Sequence, residues 1–427
     1  MWFLRFKRIK GTTDLYGEEI NFWHYVEECA KRTARTYGYG EIRTPIFEMT
    51  ELFARSVGKE TDIVQKEMYT FNDKGNRSLT LRPEGTAPTI RAFLENSMIT
   101  NGLPQRFFYI GPMFRYERPQ SGRLRQFHQF GVELIGSAEP AADVEMILLA
   151  TDFLKRLRIT KYTVQINSIG CQKCRAVYRE RIKDYYRPIL SSLCNDCKRR
   201  YETNVLRLLD CKKDSDLARE APKMIDFLCD DCRAHYESLK KLLKALNISF
   251  TENGRLVRGL DYYTRTVFEV HHDNLGAQSA VIAGGRYDAL IEELGGKSIP
   301  ALGFASGVER LVMAMKEEGI RVEQTEPRHV YVAVIGEEQF SVALEIAERL
   351  RSKNVNVVVE TNGRSLKAQL RHANRLNVRL CLIVGENEVK SGVVTLRDMV
   401  KGEQIDVDIK YAIEYILDYL KEDDVLN

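Results

Sequence analysis

The sequence predicts an α+β chain in three parts: a mostly antiparallel sheet flanked by helices, a helical insertion that interrupts it, and a separate C-terminal α/β domain. Three observations carry this. Residues 107–136, FFYIGPMFRYERPQSGRLRQFHQFGVELIG, hold two alternating runs around a basic, polar connector, the pattern of an antiparallel strand pair. Seven of the nine cysteines fall between Cys171 and Cys232, in a Lys/Arg/Asp-rich stretch of helical pattern. From about residue 329, apolar strand patterns and helix patterns alternate, as they do in α/β domains.

Taken in order, Ile20–Tyr37 carries a helical apolar stripe that stops at Gly38. YGYGEIRTPIFE reads as a turn and an extended segment, with Pro45 at an edge or strand end. Phe53–Val57 reads as a short helix. MYTFNDKGNRSLTLRPEGT is a hairpin around DKGN that ends at Arg82–Thr86, and Thr86–Asn96 is a helix opened by a threonine cap. In the central hairpin, Phe107–Glu117 is one strand, Pro119–Arg125 a loop and Gln126–Ile135 the returning strand. The period of two sorts its side chains. His128, Phe130, Val132 and Leu134 take one face; Phe127, Gln129, Gly131 and Glu133 take the other, and Met113, Arg115 and Glu117 lie together. Ala141–Leu157 is an apolar helix and TVQINSIG a strand. The sheet pattern resumes after the insertion with RLVRGLDYYTRTVFEVHH, AGGRYDAL and GFASGVERLVMAM. Glu317–Glu326 is charged and aperiodic, the best linker candidate. These readings divide the chain at 1–169, 170–248, 249–325 and 326–427.

Composition bounds the function. The chain has 427 residues, more than one typical core holds, with 44% hydrophobic and 29% charged residues and a net charge of +4. That charge neither demands nor excludes nucleic acid. No apolar run approaches the roughly 20 residues of a membrane span, and MWFLRFKRIK is too short and too basic for a secretory signal, so a cytoplasmic location is expected.

Four polar clusters point to chemistry. They are Arg82–Thr86 with Glu84; the hairpin residues Arg115, Glu117, Phe127, Gln129 and Glu133; Arg258–Tyr263 (RGLDYY); and GFASGVERL, with small residues before Arg310. Several arginines beside small residues suit a polyanion, above all phosphate. No GxGxxG follows a strand, and Gly296-Lys297-Ser298 has Ile291 where a phosphate loop needs its first glycine. A nucleotide must therefore be held by arginines on an antiparallel sheet.

GYGEIRTPIFE, FRYERPQSGRLRQFHQFGVE and GFASGVERL, in this order, resemble the three signature motifs of class II aminoacyl-tRNA synthetases. KGTTDL, LTLRPEGT and VRGLDYYTRTVFE resemble the histidyl-tRNA synthetase family in particular, and the C-terminal part is similar to its anticodon-binding domain. The resemblance implies ATP-dependent activation of L-histidine with Mg²⁺, transfer to tRNA(His), and a homodimer built by the first motif. It implies that Arg115 holds the α-phosphate, with Arg258 as a second catalytic arginine opposite it. Glu117 would read the adenine edge, with the ring stacked on Phe127 and covered by Arg310. Histidine would be bound by Glu84, Gly85, Thr86, Gln129, Glu133, Tyr262, Tyr263 and Tyr287, together with Arg115 and Arg258. Arg118 and Gln120 match positions that read the extra 5′ guanosine of the tRNA, while Arg123 and Arg125 add charge for the acceptor stem. Arg364, Lys367, Arg371 and Arg375 mark one basic helical region of the anticodon-binding part. The alternative is a non-catalytic, synthetase-like regulatory subunit that senses histidine or tRNA.

The cysteines stand outside that mechanism. Three CxxC pairs, Cys171/Cys174, Cys194/Cys197 and Cys229/Cys232, with Cys211 and with His235 nearby, suit one closed tetrahedral zinc site with spares, or two. Reduced thiols or disulfides are the alternatives. Cys29 and Cys381 read as core residues.

Overall fold

The structure, a computed structural model, describes residues 6–58, 61–203, 205–209, 211, 213–214, 216–217, 220–276, 279–322 and 330–426. It divides into two compact units, Met1–Val322 and Glu323–Asn427. The strands of the first unit are β1 Gly40–Glu41, β2 Phe47–Met49, β3 Tyr69–Asn72, β4 Ser78–Leu81, β5 Gln105–Phe114, β6 Gln126–Ile135, β7 Tyr162–Ser168, β8 Thr251–Glu252, β9 Thr264–His272, β10 Ala280–Arg286 and β11 Ala301–Gly307. Eight form one sheet in the order β1-β5-β6-β11-β10-β9-β7-β8, antiparallel throughout except at its two edges. The other three form a small antiparallel sheet, β2-β4-β3.

One face of the large sheet is covered by the helices Glu18–Thr36, Pro140–Arg156, Asp230–Ala245 and Val308–Glu317. Trp23, Phe130, Val132, Ile147, Phe153, Leu239, Phe304 and Leu311 share the resulting core. Phe130, Val132 and Leu134 are the apolar side of the alternation in β6, buried to 1% exposure or less. The fully buried Arg286 at the end of β10 is compensated by Asp143 at 2.9 Å. His235 stands 3.3 Å from the same carboxylate, so it belongs to this buried cluster and not to the cysteines.

The insertion has a core of its own, built from Tyr178, Ile182, Tyr186, Leu193 and Leu208 with four of the cysteines. Its last helix joins two cores: Cys232, in its first turn, packs in the insertion, while Tyr236, Leu239 and Leu243 pack in the main core. The first residues of the expected linker are packed structure. Glu317 closes a helix, and the Glu318 carboxylate accepts the amides of Thr160 and Lys161 at 3.0 Å and contacts His272 Nε2 at 3.2 Å. Residues 323–326 of that segment lie outside the described residues.

The second unit is a five-stranded sheet, β12 Val330–Val334, β13 Val357–Val359, β14 Leu380–Val384, β15 Val393–Asp398 and β16 Gln404–Asp408, in the order β13-β12-β14-β15-β16. Within it, burial works against Glu360, but hydrogen bonds from Arg364 and Tyr331 hold its acid down at about 2. Arg364 is thus committed to Glu360, at 2.7 Å, while Lys367, Arg371 and Arg397 line a shallow groove.

Candidate active site

A cavity of about 440 Å³ lies over the open face of the large sheet, and its floor follows from the strand register. Residues directly opposite one another on neighbouring strands point to the same face. One row runs Tyr109, Gly131, Ala305, Ala283, Glu269 across β5, β6, β11, β10 and β9; a second runs Phe107, Glu133, Gly303, Gly285, Val267. Small residues fill the middle of both rows, so bare backbone lies between Tyr109 and Glu269 in the first and between Glu133 and Val267 in the second. A Cβ on Gly131 or Gly85 would run into the Tyr109 ring, and one on Gly303 into the Glu133 carboxylate.

Glu133, 1% exposed, lies at the deep end. Thr86 Oγ1 donates to its Oε1 at 2.7 Å, Tyr109 Oη to the same oxygen at 3.2 Å, and Tyr287 Oη to its Oε2. Burial pushes this acid up to about 8, with hydroxyl bonds pulling the other way and Glu84 adding to the rise. Burial also holds the phenols of Tyr109, Tyr262 and Tyr287 well above 10, so all three remain donors. Tyr262 stacks against Tyr263 and Tyr287 at 4.7 and 5.6 Å between ring centres.

Glu84 lies above the same end, 4% exposed, with its acid raised by burial. Its oxygens accept the amides of Thr86 at 2.6 Å and Ala87 at 2.9 Å. The threonine cap expected at this helix is therefore corrected. Gly85 holds the N-cap position, and the carboxylate of the preceding residue reaches the first-turn amides, which frees the Thr86 hydroxyl for Glu133. Gln129 lines the wall, its Oε1 buried with no hydrogen-bond partner among the described residues. Arg82 is a strut: its guanidinium lies over Gly111 and donates to the carbonyls of Pro112 at 2.9 Å and Thr44 at 3.0 Å.

The other end is cationic. Arg115 follows β5, held by Pro83 O at 2.9 Å and placed 5.3 Å over the Phe127 ring. Glu117 stands between Arg115 at 3.9 Å and Arg123 at 3.3 Å. Arg310, in the first turn of its helix, donates to Gly122 O at 3.2 Å and Ala280 O at 2.7 Å. Burial, and then the nearby Arg123, lower its pKa, the signature of guanidiniums crowded into a partly dry site. Between the two ends stands Arg258. It pairs with Glu269 Oε1 and lies 5.6 Å over Tyr263, and its Nε is buried with no hydrogen-bond partner among the described residues.

Sequence reasoning missed Tyr109, Glu269, His271 and Ser279. Glu269 Oε2 lies 2.8 Å from His271 Nε2, and His271 Nδ1 lies 2.9 Å from Ser279 Oγ. Burial, and then Arg258, lower the His271 pKa, so a neutral ring gives its Nε2 proton to Glu269 and accepts from Ser279. The available signal was the alternation in TVFEVHH, where Glu269 and His271 break an apolar strand on the opposite face from Phe268 and Val270.

At the loop tip, Arg118, Gln120 and Arg123 are exposed, with Gln120 and Arg123 backbone-paired around Gly122. The cysteines fall into two sets, Cys171, Cys174, Cys229 and Cys232, and Cys194, Cys197 and Cys211 with Asp214, a residue the sequence reading did not select.

A family model described as histidyl-tRNA synthetase matches residues 11–311, and one described as anticodon binding domain matches residues 329–419. The chain is 59% identical to the histidine--tRNA ligase of Thermosipho melanesiensis, over 98% of this chain and 100% of that one. It is 61% identical to that of Thermosipho africanus, over 96% and 98%. The solved apo histidyl-tRNA synthetase of S. aureus superposes with a TM-score of 0.81 at 35% identity, covering 96% of this chain and 99% of that one.

Proposed function

The chain belongs to the histidyl-tRNA synthetase family, and on that premise we propose how its residues divide the work of charging tRNA with histidine. It is a histidine--tRNA ligase. The full-length identity to such ligases speaks for the enzyme over a non-catalytic regulatory subunit. One observation carries the division of labour: a single cavity has buried carboxylates and phenols at one end, arginines at the other, and bare backbone between.

Histidine takes the carboxylate end. Glu133, with Tyr263 beside it, addresses the imidazole; Glu84, Thr86 and the orphan Oε1 of Gln129 take the α-ammonium. Gly85 leaves room for the Tyr109 ring, and Tyr262 and Tyr287 wall the pocket. ATP takes the basic end. Adenine lies on Phe127 under Arg310, its edge read by Glu117, and Arg115 and Arg258 flank the α-phosphate. The histidine carboxylate attacks the α-phosphorus in line, pyrophosphate leaves, and a terminal ribose hydroxyl of the tRNA then attacks the acyl carbon and releases AMP. Neither step needs a protein nucleophile; both need alignment and neutralised charge. The family works with ATP and Mg²⁺, and the ion supplies further positive charge to the triphosphate. Of the lining carboxylates, Glu309, which already accepts the His128 amide at 3.0 Å, has no other substrate role and would offer hard oxygens of the kind the ion takes.

The exposed loop tip, Arg118, Gln120 and Arg123, would meet the acceptor end of tRNA(His), and the basic groove of the second unit the anticodon. A homodimer is supported by an exposed apolar row on the small sheet, where Phe71, Leu79 and Met49 are register partners and Ile46 and Phe47 lie alongside. A cytoplasmic location is inferred from the substrates alone; among the described residues no helix is long and apolar enough to cross a membrane. Structural zinc in the insertion is supported by the two cysteine sets.

The test is histidine-dependent exchange of pyrophosphate into ATP. Exchange is expected in the wild type, and Arg258→Ala should lower it by about 10²- to 10³-fold with histidine affinity little changed. Absence of exchange in the wild type overturns the assignment. Equal losses in rate and affinity would make Arg258 a scaffold residue.

A further inference from the structure

The cysteine sets are two separate constructions. Cys171, Cys174, Cys229 and Cys232 offer four sulfurs all within 4.8 Å of one another, with Cys171 Sγ 3.6 Å from Cys174 Sγ and 3.9 Å from Cys229 Sγ. Four thiolates around zinc at about 2.3 Å stand about 3.8 Å apart along each tetrahedral edge. The amide of Cys229 donates to Cys174 Sγ at 3.1 Å, a bond that favours the thiolate. The second set has Cys194 Sγ 3.8 Å from Cys211 Sγ, and Asp214 Oδ2 3.8 Å from Cys211 Sγ. The Asp214 amide points at Cys211 Sγ at 3.5 Å, and its carboxylate accepts the Cys194 amide at 3.1 Å. The sets share no residue, and four-fold donor sets built of three or four thiolates suit tetrahedral zinc.

Their surroundings differ as much as their ligands. The all-cysteine set sits at the root of the insertion, where the chain leaves β7 and where it returns through the helix Asp230–Ala245. Backbone bonds from Ile169 N to Arg265 O at 2.8 Å and from Arg265 N to Gly170 O at 2.9 Å fasten that root to the start of β9. Arg175, next to Cys174, donates to Tyr263 O at 3.1 Å and Asp261 O at 3.4 Å, within the turn that presents Tyr262 and Tyr263 to the cavity. The second set orders the outer part of the insertion, from which Arg200 and Arg207 reach Asp62 at 3.7 and 3.2 Å.

We propose that the insertion binds two zinc ions, one in a Cys₄ site and one in a Cys₃Asp site, and that the Cys₄ ion, through Arg175, fixes the histidine end of the active site. The metal count stands by itself; the kinetic part rests on the charging reaction proposed above. Elemental analysis of the full chain, purified from medium without added zinc, should find two zinc ions per chain, and one each in Asp214→Ala and Cys232→Ser. One ion or fewer in the wild type, or visible iron–sulfur absorbance, overturns the two-site assignment, and retention of two ions in Asp214→Ala overturns the Cys₃Asp ligand set. In pyrophosphate exchange, Cys232→Ser should raise the histidine KM about tenfold and leave the ATP KM unchanged, while Asp214→Ala leaves both. Arg175→Ala, which removes no ligand, should raise the histidine KM similarly with both ions kept. An unchanged histidine KM in Arg175→Ala overturns the coupling whatever the metal content, and a wild type without exchange would instead refute the charging reaction.

Discussion

Replacing Glu133 by Gln is expected to strengthen the empty enzyme at alkaline pH while weakening its hold on histidine. The folded acid titrates at about 8, against about 4.3 in an unfolded chain. A pKa raised in the folded state contributes stability that is fully present below about 4.3 and is lost as pH rises through about 8. The reason is that the unfolded chain releases its proton first and the buried carboxyl must hold on to its own. Between pH 6 and pH 9 the window spans about two units, at about 1.4 kcal/mol each, so wild-type stability should fall by about 3 kcal/mol more than that of the variant. Glutamine cannot ionise. Its oxygen can accept Thr86 and Tyr109, and its amide can donate to the Tyr287 oxygen, so the hydrogen-bond set survives the exchange. Urea unfolding of both proteins at the two pH values measures the difference, and other titrating groups cancel because they are common to both. Equal pH dependence in wild type and variant would refute the reasoning: it would mean that the three hydroxyls fully offset burial and that Glu133 is ionised in the folded chain at pH 6. Histidine binding reads the same group from the other side. An imidazole N–H donating to Glu133 favours the carboxylate, so above the titration of the ligand's own ring, at about 6.5, wild-type affinity should keep rising up to about pH 8 and that of the variant should not.

Glu269→Gln removes the counter-charge that orients Arg258, and the expected result is a ten- to hundredfold slower exchange, on the order of what a misplaced catalytic group costs, with histidine KM nearly unchanged. Exchange at the wild-type rate would show that Arg258 is positioned without Glu269. Arg118→Ala should leave exchange intact, lower charging efficiency about tenfold, and reduce the salt dependence of tRNA binding by about one unit of slope. A parallel loss in exchange would place Arg118 in the nucleotide site instead.

The three-part fold was legible because its signals are local: a period of two in β5 and β6, a period near 3.6 in the flanking helices, and a change of composition at Gly170. The same period placed Phe127 and Gln129 on the side of β6 that lines the cavity, and Glu133 on that side too, beneath Thr86, Tyr109 and Tyr287. What stayed hidden is set by pairing between distant strands. Tyr109 is one apolar residue in an apolar run until the register puts it opposite Gly131 and the empty space at Gly85. Glu269 lies 11 residues from Arg258, across a turn, and nothing local says that they meet. Capping was misread for a related reason: Thr86 and Glu84 both suit the helix start, and only the position of Glu133 on another strand decides which is free to do it. Asp214 escaped because an aspartate three residues after a cysteine is unremarkable until Cys194 and Cys197 are folded against it.

The histidine end is thus assembled from groups that are expensive to bury and incomplete when empty. Glu133 is a dry acid, and Gln129 Oε1 has no donor among the described residues. An unmatched buried polar group costs about 1–3 kcal/mol, so a ligand that donates to both recovers roughly 2–6 kcal/mol that an isostere without the matching N–H cannot. That difference amounts to a discrimination of roughly 10¹ to 10⁴ and comes from the site alone. The floor must be glycine and alanine because a side chain at Gly131 or Gly303 would displace Tyr109 or Glu133, the hydrogen-bonded pair that shapes the histidine end. Specificity here is a property of the empty state as much as of the complex. A substitution that makes the empty pocket more comfortable should therefore make it less selective, and Glu133→Gln puts that to the test when histidine is competed against an analogue whose ring lacks the N–H.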